Sequence, residues 1–324
     1  MSKASIGIVG GAGYTAGELL RILINHPYTE ISWVHSQSQS GKPITAVHQD
    51  LIGETELVFT KVLNWSAIDV LFLCGGHGAS QTFFQQYDVP DKISIIDLSQ
   101  DFRMDGPDHS FVYGLPELHK VRIKGARKIA NPGCFATCIQ LGLLPLAQAG
   151  LLSSDIHIHA ITGSTGAGQQ PTSTSHFSWR NNNISVYKAF RHQHLREINQ
   201  SLTGLQPDYS DKLNFLPIRG NFTRGIFASL YTTLDASLSQ TQDIYRQFYQ
   251  GSPFVHLTDT NPNLKQVVNT NKGIVYLEQH EDTLLVISMI DNLLKGASGQ
   301  AVQNLNLMMG WEETAGLRLK SSVF

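Results

Sequence analysis

The segment Ser5-Ile6-Gly7-Ile8-Val9-Gly10-Gly11-Ala12-Gly13-Tyr14-Thr15-Ala16 decides the fold. A short apolar run is followed by a glycine-rich turn, after which Ala16, Leu19, Leu20 and Leu23 recur at helical spacing until Asn25-His26-Pro27. A strand passing through glycines straight into a helix opens a doubly wound sheet. The glycines remove Cβ atoms where backbone approaches an anion, and the helix start beyond them presents N–H groups to it. The spacing is Gly10-x-x-Gly13-x-x-Ala16 rather than G-x-G-x-x-G, so on this motif alone a plain strand–helix turn stays open.

The same texture runs on to about residue 130. Residues 30–35, 67–74 and 92–98 read as further strands, the second ending in Gly75-Gly76-His77-Gly78. After Cys134 the pattern changes: residues 156–162 alternate, and 225–234, 274–279 and 283–290 look like strands of a mostly antiparallel sheet. Residues 298–310 read as a helix packing back on the first domain. The sequence thus predicts an α/β protein in three pieces. Residues 1–133 form a Rossmann-like dinucleotide-binding domain, 134–297 an α+β catalytic and dimerisation domain, and 298–324 the returning helix and tail.

Composition narrows the classes of function. The 324 residues carry 24 basic against 26 acidic side chains, a net charge of -2, which argues against a nucleic-acid binder. Hydrophobic residues at 41% supply cores for about two domains, at roughly 150 residues each. Three cysteines cannot build a disulfide framework, so a reducing cytoplasm is expected. The N-terminus, broken by Gly7, Gly10, Gly11, Gly13 and Gly17, lacks the apolar core of a signal peptide. Residues 129–154 are uncharged, yet Asn131-Pro132-Gly133, Gln140, Pro145 and Gln148 make a buried helix a better reading than a membrane span.

The second strand leads into Ser36-Gln37-Ser38-Gln39-Ser40-Gly41-Lys42, with no carboxylate before Asp50. An acidic residue there would take the ribose hydroxyls of NAD; its absence, with hydroxyls and Lys42 nearby, favours NADP.

In Asn131-Pro132-Gly133-Cys134-Phe135-Ala136-Thr137, the Pro-Gly turn puts Cys134 at the start of an apolar helix. The helix dipole and its N–H groups favour a thiolate there, and the same groups can stabilise an oxyanion on an attacked carbonyl. A cysteine on such a turn is atypical of core packing, which favours a nucleophile over a buried structural thiol. Cys138, one turn on, and Cys74, ending a strand, read as small core residues. A thiolate needs a proton-handling partner. Phe190-Arg191-His192-Gln193-His194-Leu195-Arg196-Glu197 supplies candidates, since Leu195, Ile198 and Leu202 mark a helix starting near His194. Spacing does not separate His192 from His194, and no further ligands accompany the pair at metal-site spacing, so no metal is expected.

Taken together, these residues resemble the N-acetyl-γ-glutamyl-phosphate reductase family nearly end to end. The resemblance covers residues 9–15, Asp97-Leu98-Ser99-Gln100-Asp101-Phe102-Arg103, Tyr113-Gly114-Leu115-Pro116-Glu117 and residues 129–145 around the cysteine. It continues through Gly163-Ser164-Thr165-Gly166-Ala167-Gly168, His192 to Ile198, Asp291-Asn292-Leu293-Leu294-Lys295-Gly296-Ala297 and Gln303-x-x-Asn306. The resemblance implies NADP(H)-dependent aldehyde formation in arginine biosynthesis, through a thioester on Cys134 with His192 as the acid–base. It implies cofactor contacts at Gly10, Gly13, Tyr14, Thr15, Ala16, Ser36, Ser38 and Asn292. Arg103, Asn131 and Arg191 are candidates for the small acyl-phosphate substrate, and relatives assemble as dimers or tetramers. Gln37 stands where many members have Arg, Gln169 where many have a basic residue, and Cys138 where a small residue is usual. Acetyl is the default N-acyl group, with a larger one such as succinyl open. The alternatives are an aspartate-semialdehyde dehydrogenase, with the same chemistry on a shorter substrate, and a non-catalytic NADP-binding sensor.

Overall fold

The computed structural model describes residues 3–76 and 78–322; His77 lies outside the described residues. The chain forms two compact units, Met1–Pro132 with Ala297–Arg318, and Gly133–Gly296 with Leu319–Phe324.

The first unit holds a seven-stranded sheet of β1 (Ala4–Val9), β2 (Thr29–His35), β3 (Phe59–Thr60), β4 (Val70–Leu73), β5 (Ser94–Asp97), β6 (Val112–Tyr113) and β7 (Lys128–Ala130). Their order is β3-β2-β1-β4-β5-β7-β6, and every neighbouring pair is parallel. All four residues of β4 are buried, as a parallel strand between two helical layers requires. Helix α1 (Tyr14–Leu23) buries Ala16, Leu19, Leu20, Ile22 and Leu23. The strand expected at 67–74 is shorter because Trp65–Ala67 forms a 3-10 turn and the Asp69 carboxylate accepts the Ser5 N–H.

The Asp97–Arg103 motif builds scaffold here. Asp101 accepts from the N–H groups of Gly78, Ser80 and Gln81 and so caps α2 (Ala79–Gln86), whose first turn has no acidic residue of its own. A third helix, α3 (Pro116–Lys124), precedes β7. The C-terminal helix Gly299–Met308 completes this unit: Asn304 Nδ2 donates to Gly114 O and to Asn131 Oδ1. His26, 1% exposed, accepts the Tyr28 N–H at Nδ1, which leaves Nε2–H to donate to Asn306 Oδ1.

The second unit carries β8 (Ile156–Thr162), β9 (Ser185–Val186), β10 (Leu213–Arg219), β11 (Ile226–Thr233), β12 (Val255–Thr258), β13 (Gly273–His280) and β14 (Thr283–Ile290). The order is β12-β13-β14-β11-β8-β10-β9. The β8–β10 and β12–β13 pairs are parallel and the others antiparallel, a mixed sheet. Against it lies α4 (Cys134–Gln148), buried continuously from Phe135 to Ala147. Proline at 145 removes the N–H that would bond the carbonyl of residue 141. Tyr249 Oη donates to that Leu141 carbonyl instead, and Tyr245 Oη to Gly142 O. The remaining helices are α5 (Phe177–Arg180), α6 (Leu195–Leu205) and α7 (Leu238–Phe248), which carries both tyrosines or abuts them. Among the described residues, no helix is long and apolar enough to cross a membrane.

Candidate active site

In the first unit, the glycine loop closes against the carboxyl ends of the central strands. Gly10 has φ +80°, and a Cβ on it would stand 2.8 Å from the Cys74 carbonyl carbon, so only glycine fits. Gly13 caps α1; a Cβ there would meet nothing nearer than Gly10 O at 3.9 Å. The first N–H groups of α1, on Tyr14, Thr15 and Ala16, are those a helix leaves without intrahelical partners. His48, which the sequence reading passed over, props this loop: its Nε2–H donates to Gly11 O at 2.7 Å, and its ring fills the space a Cβ on Gly17 would need.

At the end of β2, Ser36 is buried with its N–H on Thr60 O, whereas Ser38 is exposed. His35 is 8% exposed, and neither ring nitrogen has a partner among the described residues; burial pushes its pKa down. These features fit a dinucleotide. An open cradle at Gly13, a ten-residue helix aimed from it and an orphaned imidazole where the ribose is read are groups that a bound cofactor would satisfy.

Arg103 and Asn131 also belong to this unit and are 5% and 1% exposed. Arg103 Nε donates to Asn131 O and its Nη2 to Leu98 O; Asn131 Nδ2 donates to Ala297 O. These bonds give both residues a supporting role in the turn that precedes the cysteine.

In the second unit, Cys134 is the first residue of α4 and half-buried. The preceding N–H, on the helix cap Gly133, is taken by Glu197 Oε2 at 2.9 Å. That carboxylate comes from the first turn of α6 and is 3% exposed; its Oε1 lies 3.9 Å from His194 Nε2. One buried acid therefore ties the turn before Cys134 to the histidine segment. Phe135 packs edge-on against His192, His194 and Phe215, with centroids 5.3, 6.3 and 5.2 Å away. His192 Nδ1 accepts the His194 N–H at 3.3 Å, so the neutral ring carries its proton on Nε2. Spacing does not separate the two histidines; in the structure His194 lies against Glu197 and His192 against Tyr187.

Tyr187 completes this corner. Its N–H donates to Pro217 O, its ring lies 5.9 Å from that of His192, and the Arg219 guanidinium sits 4.7 Å over its face. Burial and the nearby Cys134 sulfur push the Tyr187 phenol up to about 12, partly offset by Arg219. Gly296 closes the other side: a Cβ on it would lie 2.8 Å from Cys134 Cβ. Asn292, 2% exposed, clamps two loops, accepting from Gly225 N at 2.7 Å and donating to Thr165 Oγ1 at 3.0 Å. Arg191 is exposed. Cys74 and Cys138 are core thiols; burial pushes each up to about 12, and Cys138 donates to Ser288 O.

Of the residues above, Glu197 was legible in part, as an acid three positions after a helix cap. Tyr187, Arg219 and His48 carry no local signal.

Known proteins match along the whole chain. Residues 5–126 match the family described as semialdehyde dehydrogenase, NAD binding domain, and residues 134–292 the one described as semialdehyde dehydrogenase, dimerisation domain. A Parabacteroides distasonis protein named N-acetyl-gamma-glutamyl-phosphate reductase is 60% identical over 318 residues, 98% of this chain and 99% of that one. A Flavobacterium johnsoniae protein of the same name is 55% identical over 324 residues, 99% of each. Among solved structures, aspartate semialdehyde dehydrogenase II from Vibrio cholerae, complexed with ASA, superposes with TM-score 0.73 at 16% identity, covering 96% of this chain and 99% of that one. The Candida albicans aspartate semialdehyde dehydrogenase with NADP gives 0.70 at 13%, covering 94% and 98%. At such identities the likeness is one of fold.

Proposed function

Since the chain belongs to the N-acetyl-γ-glutamyl-phosphate reductase family, we propose that it reduces an N-acyl-γ-glutamyl phosphate to the corresponding semialdehyde and phosphate with NADPH. The observation that carries this reading is Cys134, half-buried as the first residue of a fifteen-residue helix, on a turn gripped by the Glu197 carboxylate from the histidine segment.

The sulfur attacks the γ-carbonyl carbon, and N–H groups of the first turn of α4 face the oxyanion that forms. The C–O bond to phosphate breaks and phosphate departs, leaving an acyl group on Cys134. NADPH, when bound, would supply the hydride needed to bring this thioester to the aldehyde oxidation level. His192, with its proton held on Nε2 by the His194 amide, donates as the carbon–sulfur bond breaks. Gly10, Gly13, Tyr14, Thr15 and Ala16 would hold the pyrophosphate, Ser36 and Ser38 the adenosine end, and Asn292 would lie near the nicotinamide. Arg191, exposed, is assigned to a substrate anion; Arg103 and Asn131 act at one remove, by fixing the turn before the cysteine. The match to a dimerisation domain supports assembly into a dimer or tetramer, and reduced thiols suit the cytoplasm.

The test is Cys134→Ser, which should nearly abolish turnover while NADPH binding stays close to wild type; undiminished turnover would remove the nucleophile. Steady-state assays with N-acetyl and N-succinyl glutamate semialdehydes, phosphate and both dinucleotides define the acyl group, and aspartate semialdehyde alongside separates the shorter-substrate alternative.

A further inference from the structure

Two arginines flank the turn between β10 and β11, and they differ in one respect. Arg224 is paired, its Nε 3.1 Å from the buried Asp291 carboxylate. Arg219 has no carboxylate partner among the described residues. Its Nε is buried without a hydrogen-bond partner. The charged neighbour is another cation, Arg180, whose Nη1 donates to the Arg219 carbonyl at 2.8 Å.

A partly buried guanidinium without a counter-charge is costly, and the cost is relieved when an oxyanion arrives. The place where one would arrive is defined. β10 ends on Arg219, in register with Thr162 of β8 and Ser185 of β9. The guanidinium lies 4.7 Å over the Tyr187 ring, and that ring is 5.9 Å from His192. Stacking on an aromatic face fixes the plane of the guanidinium, a side-chain hydrogen bond to Tyr187 holds it there, and the buried Nε–H is left for an oxyanion.

We propose that Arg219 binds an oxyanion of the substrate, its carboxylate or its phosphate, with Tyr187 as the platform that orients it. This rests on the reading of the site given above and adds a residue that no motif of the sequence singled out.

The experiment runs the reaction from the semialdehyde, where carboxylate and phosphate enter on separate molecules. In Arg219→Gln, loss of a charge-assisted pair raises KM for one of them by about 10- to 100-fold, with kcat moving far less. A rise for phosphate places the phosphate at Arg219; a rise for the semialdehyde places the carboxylate there. Arg219→Lys, which keeps the charge and loses the fork, recovers part of the loss. Unchanged KM for both substrates in Arg219→Gln overturns the proposal. A second readout needs no turnover: inorganic phosphate or N-acetylglutamate should slow iodoacetamide labelling of Cys134 in the wild type and not in Arg219→Gln. Equal protection in both proteins, or none in either, also overturns it. If the wild type turns over no semialdehyde but shows this difference, the reading of the reaction fails while the anion site stands. NADPH titration and thermal melts confirm that the variant is folded.

Discussion

Replacing Gly296 by alanine adds one methyl group against Cys134. That Cβ would lie 2.8 Å from Cys134 Cβ and 3.2 Å from both Cys134 Cα and Asp291 O. Carbon atoms in contact prefer at least about 3.5 Å, so something must move by roughly 0.7 Å. Neither side yields easily. Cys134 Cβ is one bond from the backbone of a buried helix, and Gly296 N is held on Asp291 O at 2.9 Å. Asp291 is itself fixed by the N–H groups of Asn269, Leu293 and Leu294 and by Arg224. Overpacking of this kind costs about 1–3 kcal/mol, a fall in Tm of roughly 2–10 °C for a chain of this size. Displacing an attacking atom by about 1 Å costs on the order of 100-fold in rate. Gly296→Ala is therefore expected to lose far more kcat than stability. The assay is steady-state turnover beside iodoacetamide labelling of Cys134 and thermal melts. Gly204→Ala is the control: in α6, where an added Cβ meets nothing within 4 Å, it should be neutral or stabilising by up to about 1 kcal/mol. Wild-type kcat in Gly296→Ala would refute the reasoning, because it would mean that the sulfur tolerates the displacement.

Two further outcomes follow from buried groups. Glu197→Ala leaves the Gly133 N–H without its carboxylate and should destabilise by about 1–3 kcal/mol, with kcat reduced as well; Glu197→Gln, which keeps an acceptor oxygen, should recover part of both, and an Ala variant that melts with the wild type would discount the link. Acid should weaken the fold through two histidines: partial burial pushes the half-buried His119 down to about 4, and burial lowers His26, so the unfolded chain binds protons below pH 6.5 that the folded one refuses. That part of the stability is present above pH 6.5 and is lost as pH falls through about 4. Melts of wild type and His119→Gln between pH 7 and 4.5 check this, and parallel curves would contradict it.

What could be read from the sequence was whatever local pattern determines. β8 at Ile156–Thr162 coincides with the expected strand because alternation over one wetted face leaves little freedom in register, and β14 at Thr283–Ile290 because it is an apolar run, buried without break from Val286. The glycine turn and the cysteine turn were legible for the same reason: Gly and Pro fix backbone conformation within a few residues. Other features depend on partners far away in the chain. Pro145 looks like a helix breaker until Tyr249, more than a hundred residues on, supplies the missing donor. Glu197 looks like an ordinary helix-start acid, yet its oxygen reaches residue 133. Arg103 and Arg191 look alike in the sequence as candidate anion binders, and burial distinguishes them: Arg103 is buried and bonded to backbone carbonyls, Arg191 exposed.

The return of residues 297–318 to the first unit has a consequence for how the molecule is made. On the ribosome, residues 3–132 emerge well before Asn304 and Asn306, the partners of Gly114, Asn131 and His26. Until then the nucleotide-holding half lacks the helix that packs on α1 and α3. Cutting the chain before residue 297 would keep Cys134 and His192 and yet strike the other unit, by removing that helix.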